Sequence, residues 1–278
     1  MLGQRVITAL VLLGLLVPAM LAPMPWPFAA LTLLMIGAAG WEWGRLSATP
    51  FGVALALGVV VAVASYALCL STAHWSGMSP MWWGATAAWV VGGALALRAG
   101  PSGWSRMPRG LRCVLGVLVL ALGWTAIFQA HAVGVNFLLS TMALVWAADI
   151  AAYAGGRAFG KHKLAPTISP GKSWEGVLSG MFGALALAAL WVALDRRFNF
   201  DSPSLYSQLL ESIGLFGLVF AVFGLCAMSV VGDLFESLVK RAAGAKDSSR
   251  LLPGHGGVLD RIDALLPVMP IAMALGSL

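Results

Sequence analysis

SLVKRAAGAKDSSRLLPGHGGVLDRID, residues 237–263, crowds lysines, arginines, aspartates, a histidine and a Gly-Gly pair between two apolar runs. Only 10% of the chain is charged. A polar block of this density beside membrane-length apolar sequence costs insertion energy, and such a block persists where water, phosphate or metal is handled at a membrane surface. Outward from this block the chain is oily: 60% hydrophobic with 12 tryptophans among its 278 residues, and a mean hydropathy of +0.89. That composition excludes an ordinary soluble domain.

Nine apolar stretches, each roughly 17–22 residues and so long enough to cross the hydrocarbon as a helix, fall near 5–22, 27–45, 51–72, 79–98, 111–129, 135–155, 174–194, 212–232 and 260–277. Glu42 sits inside the second, and Pro267 and Pro270 interrupt the ninth. None alternates as a membrane strand does. The expected fold is all-α: a polytopic integral membrane helix bundle of about nine transmembrane helices, its N-terminus cytoplasmic. With Arg5 inside, the cytoplasmic connections receive fifteen of the 17 basic residues, and the opposite side only Arg196 and Arg197. This positive-inside split orients the chain and accounts for its net charge of +6 without any nucleic-acid partner; a basic inner face also attracts anionic lipids. The first stretch has a signal-peptide layout, with small residues at Ala19 and Ala22. Its loss would leave every later loop on the same side, and a retained first span is the expectation. Cys69, Cys113 and Cys226 stand singly and read as small hydrophobes. Trp26, Trp41, Trp43, Trp82, Trp83 and Trp104 lie near span ends and read as interfacial anchors.

The chain divides by character within one continuous membrane domain. Residues 1–135 read as scaffold spans whose charges orientation alone explains, and residues 136–278 as the region carrying the cytoplasmic site loops. Gly176, Gly180 and Gly183 recur at helix-packing intervals, best read as close packing within the bundle.

Three polar groups of residues carry the chemistry. In the first, Asp149, Tyr153 and Gly156 share a helix face, followed by Arg157, Lys161, Lys163 and Lys172 in a Gly- and Pro-rich loop that suits a polyanion. Gly171-Lys172-Ser173 is no Walker motif: Pro166 stands where its first glycine belongs, and no strand is expected before it. Lys172 and Ser173 are nonetheless candidate phosphate contacts at the start of the seventh span, where free N–H groups favour an anion. In the second, Asp233, Glu236, Ser237 and Lys240 form one polar helix face, for which a solvated, salt-bridged surface is the plain alternative. In the third, Asp260 and Asp263 lie one turn apart and can face one point, where a divalent cation or an arginine would relieve their repulsion. Gly256 and Gly257 permit a backbone that aims N–H groups at an anion, with His255 beside them. Oxygen ligands near phosphate favour magnesium over a transition metal.

The pattern Ser237, Lys240-Arg241, Lys246-Asp247, His255-Gly256-Gly257, Asp260-Arg261 and Asp263 resembles the signature of the phosphatidate cytidylyltransferases, or CDP-diacylglycerol synthases. Ser169-Pro-Gly-Lys-Ser-x-Glu-Gly176 and Asp149 with Tyr153 and Gly156 are similar to the same family. The N-terminal half agrees only as a multi-span apolar region. The resemblance implies an enzyme of phospholipid biosynthesis that uses CTP and phosphatidic acid to make CDP-diacylglycerol and pyrophosphate, with magnesium dependence and commonly a homodimer. A bacterial inner membrane, with the site facing the cytoplasm, is the expected setting. On this reading Asp233 and Asp260 are the first metal ligands, with Asp263 and Asp149 as further ligands or supports; one or two cations fit. Lys172, Lys240, Arg241, Lys246 and Arg261 become phosphate contacts, Ser173 and Ser237 supporting donors, and His255, Gly256 and Gly257 part of the site loop. Another CTP-dependent lipid nucleotidyltransferase shares this chemistry. A transporter would instead gather its polar residues near the midplane, often in symmetry-related halves.

Overall fold

A computed structural model describes residues 2–72 and 79–278. Its helices follow the apolar stretches: α1 (Leu2–Leu21), α2 (Trp26–Leu46), α3 (Phe51–Thr72), α4 (Ser79–Arg106), α5 (Arg109–Val133), α6 (Val135–Phe159), α7 (Trp174–Arg197), α8 (Leu205–Ala242), α9 (Leu259–Ile262) and α10 (Leu265–Leu275). Five of them, α3, α5, α6, α7 and α8, combine the length and apolarity of a membrane span. The bundle is all-α and polytopic. Large apolar side chains such as Leu34, Phe51, Phe182, Phe216 and Phe220 point outward, as lipid contact requires where no polar coat is needed.

Two stretches depart from simple spans. The ninth is not one helix: the chain breaks after α9, and α10, at 11 residues, extends only about 16 Å at 1.5 Å per residue. Residues Leu265–Ile271 are all buried, so α10 is a plug inside the bundle against α4, α5 and α8. The eighth stretch is longer than expected, because α8 continues to Ala242 and is kinked at Gly214, whose φ of +70° suits glycine.

The loop expected to be irregular instead forms a small antiparallel hairpin, β1 (Lys163–Ala165) and β2 (Ser169–Ser173), with Lys163 opposite Ser173 and Ala165 opposite Ser169. Segments this short, holding Pro170 and Gly171, carry no strand periodicity to read. Ser173 then caps α7: its Oγ accepts from the Gly176 N–H at 3.2 Å.

The glycine series on α7 packs within the chain. A Cβ at Gly176 would lie 3.0 Å from Ala152 O, and one at Gly180 2.9 Å from Ala148 O, so α6 and α7 approach backbone to backbone. Trp26 and Trp83 are exposed as anchors would be, but Trp43, Trp82 and Trp104 are not anchors; each is at least 97% buried. Trp43 packs against Trp104 and Phe235 and donates its indole N–H to Arg112 O at 2.8 Å. Trp43, Trp104 and Phe235 fill the junction of α2, α4, α5 and α8 with large rings. None of the three cysteines is in a disulfide.

Candidate active site

The ends of α2, α6 and α8 that carry Glu42, Asp149 and Asp233, the start of α7, the hairpin and the segment 243–263 gather at one end of the bundle. Crossing bonds demonstrate it: Arg241 Nε donates to Ile168 O at 3.4 Å, Ser105 Oγ to Ala242 O at 3.4 Å, and Val258 N to Glu42 Oε1 at 3.0 Å. Arg196 and Arg197 lie at the other end of α7, beside a separate network in which Asn136 Nδ2 donates to Asp195 Oδ1 at 2.9 Å.

A cavity of about 580 Å³ opens between α6, β2, α7 and α8. Asp149, Tyr153 and Gly156 line it as the helical spacing requires, joined by Arg157, Gly171, Lys172, Ser173, Ser229 and Asp233. Lys172 Nζ lies 2.7 Å from Asp233 Oδ2, and Ser237 Oγ is 3.4 Å from Asp233 Oδ1. Asp149 and Asp263 are further electrostatic neighbours of Lys172. Burial, and after it the adjacent Asp233 charge, push the Asp263 carboxyl well above the ordinary carboxylate range. Lys172 thus pairs with Asp233 from α8, within the electrostatic reach of acids from α6 and from the break before α10. Among the described residues no three His, Cys, Asp or Glu side chains are grouped to hold an ion as they stand. Oxygen-only donors around a positive charge nonetheless match the ligand chemistry of a hard divalent cation.

Beside the cavity lies a second cluster. Lys240 Nζ pairs with Glu236 and, at 2.6 Å, with Asp260 Oδ1. The face of Asp233, Glu236, Ser237 and Lys240 is therefore no solvated surface: Glu236 is 98% buried, and the face turns onto the terminal loop. Asp260 is held within the terminal loop. Its Oδ2 accepts from Ser248 N at 2.9 Å, Ser248 Oγ at 2.8 Å and Gly257 N at 2.7 Å, whereas Asp263 Oδ1 accepts from Ala264 N at 2.8 Å. Burial alone would raise the Asp260 carboxyl; the bonds from Lys240, Gly257 and Ser248 outweigh it and hold it at about 2. Three of the contacts to Asp260 fall on Oδ2, and Oδ1 carries the bond from Lys240. The N–H of Gly257 does aim at an anion, but the anion is this carboxylate. Gly256, at φ +84°, makes the turn that presents it.

The remaining candidates separate. Arg241 is spent on carbonyls, Ile168 O and Ala245 O. Lys246 and Arg261 are exposed, and among the described residues no carboxylate pairs with either. His255 is half-buried, its N–H donates to Leu252 O at 2.8 Å, and its ring Nδ1 is buried without a partner.

Glu42 was missed as a site residue. This wholly buried carboxylate on α2 accepts from Ser249 Oγ at 2.6 Å, Val258 N at 3.0 Å, Ser248 Oγ at 3.1 Å and Leu259 N at 2.7 Å. Orientation alone therefore does not explain the charges of residues 1–135. An acid within an apolar run was the available signal.

The fold and site define an integral membrane protein with a polar, cation-rich and acid-lined cavity at one end of its bundle. The chain belongs to the cytidylyltransferase family, whose model matches residues 3–278, and it is a nucleotidyltransferase. It is similar to the phosphatidate cytidylyltransferase of Pseudomonas aeruginosa, 40% identical over 281 residues covering 99% of this chain and 97% of that protein. It is also similar to that of Haemophilus influenzae, 36% identical over 97% of this chain and 96% of the relative. The Brucella suis protein of the same name is 41% identical over 52% of this chain and 48% of its own length.

Proposed function

We propose that this chain is a phosphatidate cytidylyltransferase. A phosphate oxygen of phosphatidic acid forms a bond to the α-phosphorus of CTP, the α–β phosphoanhydride bond breaks, and pyrophosphate leaves with its electron pair, giving CDP-diacylglycerol. The observation that carries this reading is Lys172, presented by the hairpin into a cavity lined by Asp149 and Asp233, in a chain matched along its length by cytidylyltransferases.

Both reactants are anions, so positioning and charge stabilisation supply the catalysis. Lys172 turns from Asp233 to the phosphates, Ser237 orients Asp233, and Ser173 holds the start of α7 with its N–H donors toward the cavity. Magnesium is the proposed cation, held by Asp233, Asp263 and Asp149; bound there, it would neutralise the triphosphate and the departing pyrophosphate. Asp260 is proposed to set Lys240, and the exposed Lys246, Arg261 and half-buried His255 to meet the leaving pyrophosphate. The lipid phosphate is already ionised near neutral pH, so no covalent nucleophile is required. The proposed setting is a homodimer in a bacterial inner membrane with the site toward the cytoplasm, supported by the bacterial relatives and the asymmetry of lysine and arginine. Residues 1–135 serve as scaffold and 136–278 as catalytic region, with Glu42 crossing that division.

Membranes containing the protein, given labelled CTP, phosphatidic acid and magnesium, are expected to form labelled CDP-diacylglycerol and pyrophosphate. Product formed without phosphatidic acid, or from diacylglycerol in its place, would overturn the proposal.

A further inference from the structure

Glu42 takes no part in the chemistry proposed above, yet its surroundings give it one. The four bonds that Glu42 accepts all leave α2 for a single segment, Ser248 to Leu259. That segment has little structure of its own: one bridge between Leu252 and Gly256, then the short α9. It also carries the exposed cations Lys246, Arg250 and Arg261 on itself or at its edges. Ser248 joins two anchors, contacting both Glu42 and Asp260, and Asp260 in turn holds Lys240. The fit is close. A Cβ at Gly257 would lie 2.3 Å from Glu42 Oε1 and 2.1 Å from Ser248 Oγ.

We infer that Glu42 is a positioning residue, a latch that orders the 246–261 loop before the nucleotide arrives so that its cations stand ready for the triphosphate. The inference rests on the reading of the chain as a CTP-using transferase. A loop ordered in advance costs less to order on binding, so the benefit falls on affinity. Charge-assisted bonds to two backbone N–H groups and two hydroxyls suit this task. A carboxylate inside an apolar helix is otherwise a burden.

The test is Glu42→Gln in the full-length purified protein. An amide of equal size cannot accept all four bonds, because its NH2 meets donors. Binding of labelled CTP without lipid, and steady-state kinetics with phosphatidic acid, are measured beside tryptic cleavage after Lys246 and Arg250. The expected result is a Kd and KM for CTP raised roughly tenfold, with kcat within about threefold, as loss of ground-state binding requires. Cleavage in the loop is expected to quicken while other sites are cut as before. A folded variant whose KM for CTP stays within about twofold of the parent overturns the latch, as does a fall in kcat at constant KM, which loss of active protein alone would produce. Should Glu42→Gln fail to fold, Ser248→Ala and Ser249→Ala remove the loop's hydroxyls and leave the two N–H bonds. Each is then expected to raise KM about threefold by loss of one such bond, and unchanged values in both overturn the proposal. A parent protein that makes no CTP-dependent lipid product refutes the function itself, whereas an active parent with unmoved variants refutes only the latch.

Discussion

Lys172 Nζ lies 2.7 Å from Asp233 Oδ2, so the hairpin and α8 are joined across the cavity by an ion pair. Both partners keep access to water, and a pair of this kind is worth little in net stability. On the proposed reading a cation held by the same acids would take the place of this ammonium, making lysine and metal rivals for one position.

Lys172→Gln separates those roles. Removing the ammonium leaves Asp233 unpaired beside the charges of Asp149 and Asp263, and their repulsion favours a divalent cation. Manganese affinity, read by electron paramagnetic resonance, is expected to rise roughly threefold to tenfold, while CTP turnover falls at least about tenfold through the lost phosphate contact. Weaker manganese binding would show that the lysine does not compete.

Asp233→Asn and Asp260→Asn are expected to lower product formation alike, by roughly a hundredfold or more, the scale for lost electrostatic stabilisation at a reacting centre. Their manganese titrations should differ. Asp233→Asn should lose the ion, whereas Asp260→Asn should keep it, since Asp260 is occupied by Lys240, Ser248 and Gly257. Loss of manganese in both variants would restore Asp260 as a ligand.

The Asp263 carboxyl, pushed up by burial and by Asp233, fixes the sign of a pH effect. Its folded-state value exceeds the unfolded value of about 4, so the folded state holds the proton longer. Stability therefore falls as pH rises from about 4 towards the folded-state value. The melting temperature of the protein in chelator is expected to decline over that range, and Asp263→Asn should flatten the decline. An equal slope in the variant would assign the effect to another group.

Gly232 stands next to Asp233, and a Cβ there would lie 2.5 Å from the backbone oxygen of Asp263 and 2.8 Å from Pro267 Cγ. Gly232→Ala must push α8 away from the break before α10. A stability loss of about 1–3 kcal/mol is expected from such overpacking, with manganese binding weakened by the parting of the two acids. A melting temperature equal to the parent's would show that the helices can yield.

The all-α membrane architecture was legible because hydropathy is summed over every residue of a span, so one misjudged position alters little. The polar cavity was partly legible. Asp149, Tyr153 and Gly156 share a face by helical spacing alone, and Ser173 announced the start of α7. Trp43 and Trp104 misled because proximity to a span end does not say whether the ring turns outward to headgroups or inward to Phe235.

From the amino-acid order alone came the class of solvent each segment meets, and expectations for the orientation of the chain and for the residues that handle phosphate. Those properties are local sums of transfer energy and charge. Which carboxylate pairs with Lys172, and which with Lys240 and its own loop, was decided only when distant segments met. Glu42 and Leu259 are 217 positions apart, and no periodicity connects them. Their bond exists because a buried charge must find donors, and the folded chain brings those donors to it.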